Sequence, residues 1–334
     1  MTAPDSSPQP GQQARVTIPR VVTFGETMAM LRSAQVGSLA HLPSLDVSLA
    51  GAESNVAIGL QRLGVPSAWV SRVGDDPLGI RVRREVRAEG VDVHCPVDPE
   101  RPTGLMLKSR PTATTTRVDY YRDGSAASVL SPEDLPAGLI EDAELLHISG
   151  ITPMLSETAA RAMTVAVERA VAAGTRVSLD VNYRSRLGPR ERLADLLAGV
   201  LPHVDIVFGS PDELTILAPG RSEEDVRDVL HALEELGPDD AVAKLGAEGA
   251  ATMRDGELIM STGLDVDVVD TVGAGDAFVA GYLSAWLDGT DPTVCLERAN
   301  FCGAFACTTP GDWEGAPFST DIDARDDGGD PVSR

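Results

Sequence analysis

Lysine is nearly missing from this chain. Of its 28 basic residues only Lys108 and Lys244 are lysines, which reads mainly as coding bias. Positive charge as a whole is scarce: 28 Lys and Arg face 51 Asp and Glu, and the formal charge of −23 repels phosphate backbones and anionic lipid over long distances. Nucleic acid and membrane surfaces are therefore not expected partners. Four cysteines, Cys95, Cys295, Cys302 and Cys307, are too few and too irregularly spaced for a disulfide framework, and no CxxC pair points to zinc or redox chemistry. A reducing cytoplasm is the default compartment. No window approaches the roughly 18 apolar residues of a membrane helix, and the opening MTAPDSSPQPGQQAR lacks the apolar stretch of an export signal. A soluble intracellular protein is expected. With 43% hydrophobic and 24% charged residues in 334, the remainder is ordinary globular composition, enough for one large α/β domain or two average ones.

Residues 1–17 are rich in Pro, Ser and Gln, and residues 319–334 are rich in Asp and Gly with almost nothing apolar to bury. Both stretches are expected to be mobile tails around a single domain over 18–318. Inside it, short β-branched runs such as VVTFGE (21–26), ELLHISG (144–150), RVSLDVN (176–182), DIVFG (205–209) and AVAKLG (241–246) alternate with helical periodicity. That interleaving argues for a mainly parallel sheet covered by helices on both faces. Residues 28–50 and 102–122 break the rhythm. They hold strand-like pieces without intervening helices, several alternating in polarity, and are expected to form a small separate β-sheet, a lid. An ordinary edge sheet or a dimer surface fits the same pattern.

The sharpest motif is DTVGAGDAFVAGYLSAWL, residues 270–287. A β-branched run leads into Gly273-Ala274-Gly275-Asp276 and then an apolar-striped helix, so the glycines fall where a loop becomes a helix N-terminus. Free N–H groups and the positive end of the helix dipole make such a place an anion site. Asp276, in the first turn, is favoured as the anion and is placed to take a hydroxyl proton, although a plain N-cap explains the same residue. Asp270 precedes the glycines and either fixes the loop or helps shape a nearby cation site. Neither a G-x-x-x-x-G-K-[ST] loop nor a G-x-G-x-x-G dinucleotide fingerprint occurs. A second glycine-before-helix segment, AGAESNVAIGLQRLG (50–64), brings Gly51 for close approach and Asn55 as an amide donor, or simply a capped core helix.

Taken together, AGAESNVA and DTVGAGDAF resemble the two signatures of the ribokinase-like, or PfkB-type, sugar kinases, and the resemblance covers roughly residues 20–318. It implies a ribokinase-like three-layer α/β fold, ATP and Mg²⁺ as cofactors, and a monovalent cation such as K⁺. It further implies Asp276 as the base toward a sugar hydroxyl, with Gly273, Ala274 and Gly275 as the anion hole. Gly51, Ala52, Glu53 and Asn55 then belong to the sugar site. Phosphoryl transfer has a loose transition state with its charge on phosphate oxygens, so positioned N–H donors are what such a site needs.

Within the family the detail resembles 2-keto-3-deoxygluconate kinases. YYRDGSAAS (120–128) and LDVNYR (179–184) carry that likeness, and it implies that Tyr120, Arg122 and Arg184 contact the sugar acid. A planar guanidinium holds a carboxylate bidentately, a physical reason to expect an acid rather than a neutral sugar. The resemblance also places Asn182, Arg184, Lys244, Gly246 and Gly249 along the nucleotide, Asn300 at the adenine and Asp312 against substrate. Ser210 and Glu213 stand at the family's Asn-x-x-Glu motif, whose Glu organises Mg²⁺ through water; Ser210 departs from it. Met106 replaces the tyrosine usual in Pro-Thr-Gly-Leu-Tyr, so a phenol on the lid is missing and the acceptor's identity is left open. His147, on an expected strand, reads as a core residue. A fructokinase or ribokinase activity on a neutral sugar, or a non-catalytic sugar-binding regulator, is the alternative. An exposed lid edge invites pairing into a homo-oligomer.

Overall fold

The computed structural model describes residues 18–112 and 114–326. The expected tail over 1–17 and the last residues of the other, 327–334, lie outside them. Among the described residues a nine-stranded sheet runs in the order Glu257–Thr262, Gly249–Arg254, Asp240–Lys244, Ile206–Gly209, Arg176–Asp180, Leu145–Ser149, Val21–Phe24, Ser67–Val70, Asp92–His94. All its pairings are parallel except those of the hairpin Gly249–Arg254/Glu257–Thr262, which closes one edge antiparallel.

Period-two alternation divides the core. Val22, Phe24, Leu146, Ile148 and Val207 face one apolar layer with the helices Glu157–Ala173, Arg190–Ala198 and Val226–Glu234. Val21, Leu145, Ile206 and Phe208 face the other, with Ala52–Arg62, Ala274–Leu287 and Pro292–Cys307. A strand buried on both faces reads as a continuous hydrophobic run, as VVTF does. The helix Glu157–Ala173 is set by local chemistry. In Glu157–Ala173, Ser156 Oγ accepts from Ala159 N at 3.1 Å, Gly174 ends the helix at φ 80°, and Ala159, Ala162, Met163, Ala166, Val167 and Ala170 form the buried stripe. A cap of this kind contributes about 1 kcal/mol.

The small sheet forms as expected, in the order Asp46–Ala50, Met28–Val36, Leu105–Thr112, Thr115–Tyr121. Met28, Met30, Ala50 and Met106 pack on its inner face with Val118 and Tyr120, and Tyr121, next in sequence, points out at 62% exposure. Four elements end at the same place: Phe24, Asp180, Gly209 and Lys244 close their strands on the side that the small sheet overhangs. Carboxyl ends of parallel strands are where open α/β sheets bind ligands.

One expectation is corrected. The acidic tail does not begin at Ser319, because Ser319–Asp326 is a helix. Phe318 N donates to Asp321 Oδ2 at 2.8 Å, Ile322 packs on Ala277, Cys302 and Ala306, and the Arg325 guanidinium lies 5.3 Å from the Phe301 ring centre. These few contacts order a segment whose composition alone argues for a coil. His147 is a core residue as expected, with Nδ1 2.9 Å from Ser178 Oγ.

Candidate active site

A cleft of about 840 Å³ lies between the strand ends and the inner face of the small sheet. It gathers Gly51, Ala52, Glu53, Asn55, Tyr120, Arg122, Asn182, Arg184, Glu213, Lys244, Gly273, Gly275, Asp276 and Asp312, residues drawn from seven separate sequence segments (50s, 120s, 180s, 213, 244, 270s, 312). Ala274, between two of them, is the first residue of the helix Ala274–Leu287.

Gly273 has φ 78°, and a Cβ there would lie 1.6 Å from the Asp312 carbonyl oxygen, so no other residue fits. Ala274 N reaches Thr271 O at 3.4 Å, and the first i→i−4 bond of the helix is Ala277 N to Gly273 O at 2.9 Å. The N–H groups of Gly275 and Asp276 precede that bond and are left for an anion. Asn55 Nδ2 donates to Asp276 Oδ2 at 2.7 Å, joining the two glycine motifs. Burial, with the charges of Asp312 and Asp180, pushes the Asp276 carboxyl up to about 8, against the Asn55 hydrogen bond and Arg184. Asp312 is pushed up to about 6, chiefly by burial. A carboxyl poised near neutral pH can hold or release a proton there, as a base toward a hydroxyl must.

On the core side, Lys244 Nζ donates to both Asp180 oxygens at 2.8 Å. Burial opposes its charge, but Asp180, Glu213 and Asp276 together hold the ammonium above its ordinary range. Asn182 adopts φ 39°, a left-handed conformation rare outside glycine and best tolerated by Asn. Glu213 lines the cleft while its oxygens accept from Tyr183 N and Ser210 N at 3.0 and 2.9 Å. Ser210 does not line the cleft; its Oγ caps the short helix Pro211–Leu214. Gly246 and Gly249 also lie off the cleft, bounding the turn before Gly249–Arg254, where a Cβ on Gly249 would meet Ser261 O at 2.1 Å. Asn300 lines a second cleft of about 360 Å³ with Met260, Thr262 and Arg325, and its Nδ2 donates to Ser261 O at 3.1 Å. Glu53 faces the cleft but braces strand ends: Ser149 and Thr152 hydroxyls donate to its Oε1, and burial raises its carboxyl above the ordinary range.

The side formed by the small sheet differs from expectation in one respect. Arg122 lines the cleft, yet its Nε and Nη2 are both bound by Glu26 Oε2, at 2.6 and 2.5 Å, and Ser125 Oγ donates to Glu26 Oε1. Arg122 is thus already neutralised. Among the described residues no carboxylate pairs with Arg184. Arg186, which sequence reasoning passed over, lines the cleft beside it, with its guanidinium 5.9 Å from the Tyr120 ring centre. Met106 sits opposite Tyr120 in register, packs with Met28, Met30 and Ala50, and lines the cleft. Glu26, Asp180 and Lys108 also line the cleft unannounced. The available signal was the near absence of lysine: the two lysines of the chain both face this cavity.

The chain has relatives among known proteins. The sequence profile of the pfkB family carbohydrate kinases matches residues 19–318. A 2-dehydro-3-deoxygluconokinase of Bacillus subtilis is 38% identical over 303 residues, 89% of this chain and 92% of its own. One of Thermoproteus tenax is 34% identical, covering 92% and 94%. A 2-dehydro-3-deoxygalactonokinase of Haloferax volcanii is 33% identical, covering 87% and 92%. Among solved structures, the 2-dehydro-3-deoxygluconokinase of Thermotoga maritima superposes with a TM-score of 0.85 at 25% identity, covering 92% and 99%. A ribokinase-type protein of E. coli, solved with ATP and Mg²⁺, gives 0.84 at 27%, covering 92% and 98%. No helix among the described residues is long and apolar enough to cross a membrane. With its fold, its paired glycine motifs and this breadth of likeness in hand, the chain belongs to the pfkB family of carbohydrate kinases and is a kinase that transfers phosphate to a sugar alcohol.

Proposed function

We propose that the acceptor is a 2-keto-3-deoxy sugar acid, 2-keto-3-deoxygluconate, phosphorylated by ATP at its terminal hydroxyl to give the 6-phosphate. The observation that carries this reading is Arg184, a cation in the cleft that is ion-paired with no described carboxylate, though Asp276 and Asp312 feel its charge, whereas Arg122, Lys108 and Lys244 are each ion-paired with an acidic side chain. A sugar carboxylate supplies the missing partner, and a neutral sugar does not. The names of the relatives from Bacillus subtilis and Thermoproteus tenax point the same way.

In this reading Asp276 accepts the hydroxyl proton as the sugar oxygen bonds to the γ-phosphorus and the bond to the bridging oxygen of ADP breaks. Asn55 aims the carboxylate, and the N–H groups of Gly275 and Asp276, not that of Ala274, which already reaches Thr271 O, hold the phosphoryl oxygens as charge builds on them. Lys244 in the main cleft, and the backbone of residues 261 and 262 that Asn300 holds beside the second cleft, would contact ATP. The described residues offer no cluster of three or more His, Cys, Asp or Glu side chains fit for a metal. Glu213, which lines the cleft, would hold Mg²⁺ indirectly, through water, since this ion keeps most of its waters. When bound it neutralises charge on the phosphates. The small sheet acts as a lid that keeps water from the phosphoryl group.

One observation favours the neutral-sugar alternative: the Glu26 pairing of Arg122 removes one of the two cations expected for an acid. ADP release measured across 2-keto-3-deoxygluconate, its galactonate epimer, fructose and ribose decides between them. Turnover confined to neutral sugars overturns the acid reading.

A further inference from the structure

Lys108 is the other lysine of the cleft, and the sugar chemistry above does not use it. It lies on the lid strand Leu105–Thr112, is 5% exposed, and its Nζ stands 2.5 Å from Asp270 Oδ2. Asp270 in turn ties two loops together. Its Oδ1 accepts from Val272 N at 3.3 Å and its Oδ2 from Gly311 N at 3.4 Å, while its own N–H reaches Cys307 O. One of these loops runs into Gly273; the other carries Asp312, whose carbonyl abuts Gly273. Arg32, beside Lys108 in register, binds Pro310 O at 2.9 Å from the same small sheet.

Asp270 is the carboxylate expected either to fix the loop or to help shape a nearby cation site, and the residues present do not fit a monovalent cation there. The oxygen that would bind it already holds a buried ammonium, which carries the same unit charge as K⁺ and is of similar size. We infer that Lys108 is a built-in cation: its ammonium does at Asp270 what a bound K⁺ would do, pinning the anion loop when the lid is in place, so the enzyme needs no added monovalent cation. Lys108 is a positioning residue in this scheme, acting on the N–H groups through Asp270 and the loop. The inference rests on the kinase activity but not on the choice of acceptor.

The test is initial velocity at saturating ATP and Mg²⁺, with whichever acceptor turns over, in KCl, NaCl or N-methylglucamine chloride at matched ionic strength. Wild-type kcat should vary by less than about twofold among the three salts. Lys108→Ala, which vacates the space, should lose about tenfold or more in kcat in N-methylglucamine with acceptor KM little changed, and K⁺ or methylammonium should restore much of the loss. Independently of turnover, K⁺ should raise the Tm of Lys108→Ala and not that of the wild type. Lys108→Arg, which keeps the ion pair, should remain insensitive to K⁺. Activation of the wild type by K⁺ beyond about twofold overturns the inference even if no variant folds. So does a Lys108→Ala enzyme that matches wild type without K⁺, or one whose deficit neither K⁺ nor methylammonium relieves.

Discussion

Replacing Asn55 with alanine removes the 2.7 Å hydrogen bond from Nδ2 to Asp276 Oδ2, along with the amide that also holds the Asp312 carboxyl down, and leaves both carboxyls in place. Burial and the charges of Asp312 and Asp180 push the Asp276 carboxyl up to about 8, and the Asn55 amide works against them. A hydrogen bond to a charged group contributes about 1.5–3 kcal/mol, and about 1.4 kcal/mol corresponds to one pH unit, so its loss should move the titration upward by roughly one to two units. The base must be ionised to act, so activity rises with pH through this titration. At pH 7 the ionised fraction, and with it kcat/KM, should fall about 10- to 100-fold, and the deficit should shrink as pH is raised. The assay is kcat/KM for 2-keto-3-deoxygluconate from pH 6 to 10 in wild type and Asn55→Ala. A deficit of constant size at every pH, or a rising limb that stays where it was, would show that Asn55 does not act through the Asp276 carboxyl.

Three further outcomes follow from the same site. Arg184→Ala should raise KM for the sugar acid by about 10- to 100-fold, the loss of one charge-assisted pair, and change kcat little in steady-state kinetics run at a pH where Asp276 is ionised with or without the Arg184 charge. Gly273→Ala should abolish turnover and lower Tm by several degrees, since its Cβ would lie 1.6 Å from Asp312 O at a φ of 78°. Asp276→Asn should stabilise the ligand-free protein in a pH-dependent way. Because folding raises the Asp276 carboxyl to about 8, its favourable contribution is complete below the unfolded value near 4 and fades as pH rises through the folded one. The variant's Tm advantage should therefore be about 2 °C or more at pH 8.5 and near zero at pH 4.5; equal Tm values at pH 8.5 would contradict the buried-acid picture.

The alternation of β-branched runs with apolar-striped helices made the parallel sheet and its covering helices legible, because both periods are written locally. The small sheet was legible for the same reason, through Met28–Val36, Asp46–Ala50, Leu105–Thr112 and Thr115–Tyr121. At the site, Gly273 could be read because only glycine suits its turn, whereas a Cβ at Gly275 would meet nothing nearer than Lys244 Nζ at 3.6 Å. Partnerships across the fold could not. Glu26 and Arg122 are 96 residues apart, and Lys108 and Asp270 are 162 apart, so nothing near either residue announces that its charge is already paired. Ser210 illustrates another limit: a motif position was matched, but the side chain caps its own helix and faces away from the cleft. The helix Ser319–Asp326 escaped because an acidic, glycine-flanked stretch is ordered here by Phe318, Ile322 and Arg325.

The most direct test of the account is the steady-state kinetics of Asp276→Asn, an isosteric change that keeps the Asn55 neighbour and removes the base. Loss of the proton acceptor should lower kcat by about 10²–10⁴-fold with KM for sugar acid and ATP within about threefold of wild type. A variant that retains kcat within about threefold would contradict the claim that this buried carboxylate takes the hydroxyl proton.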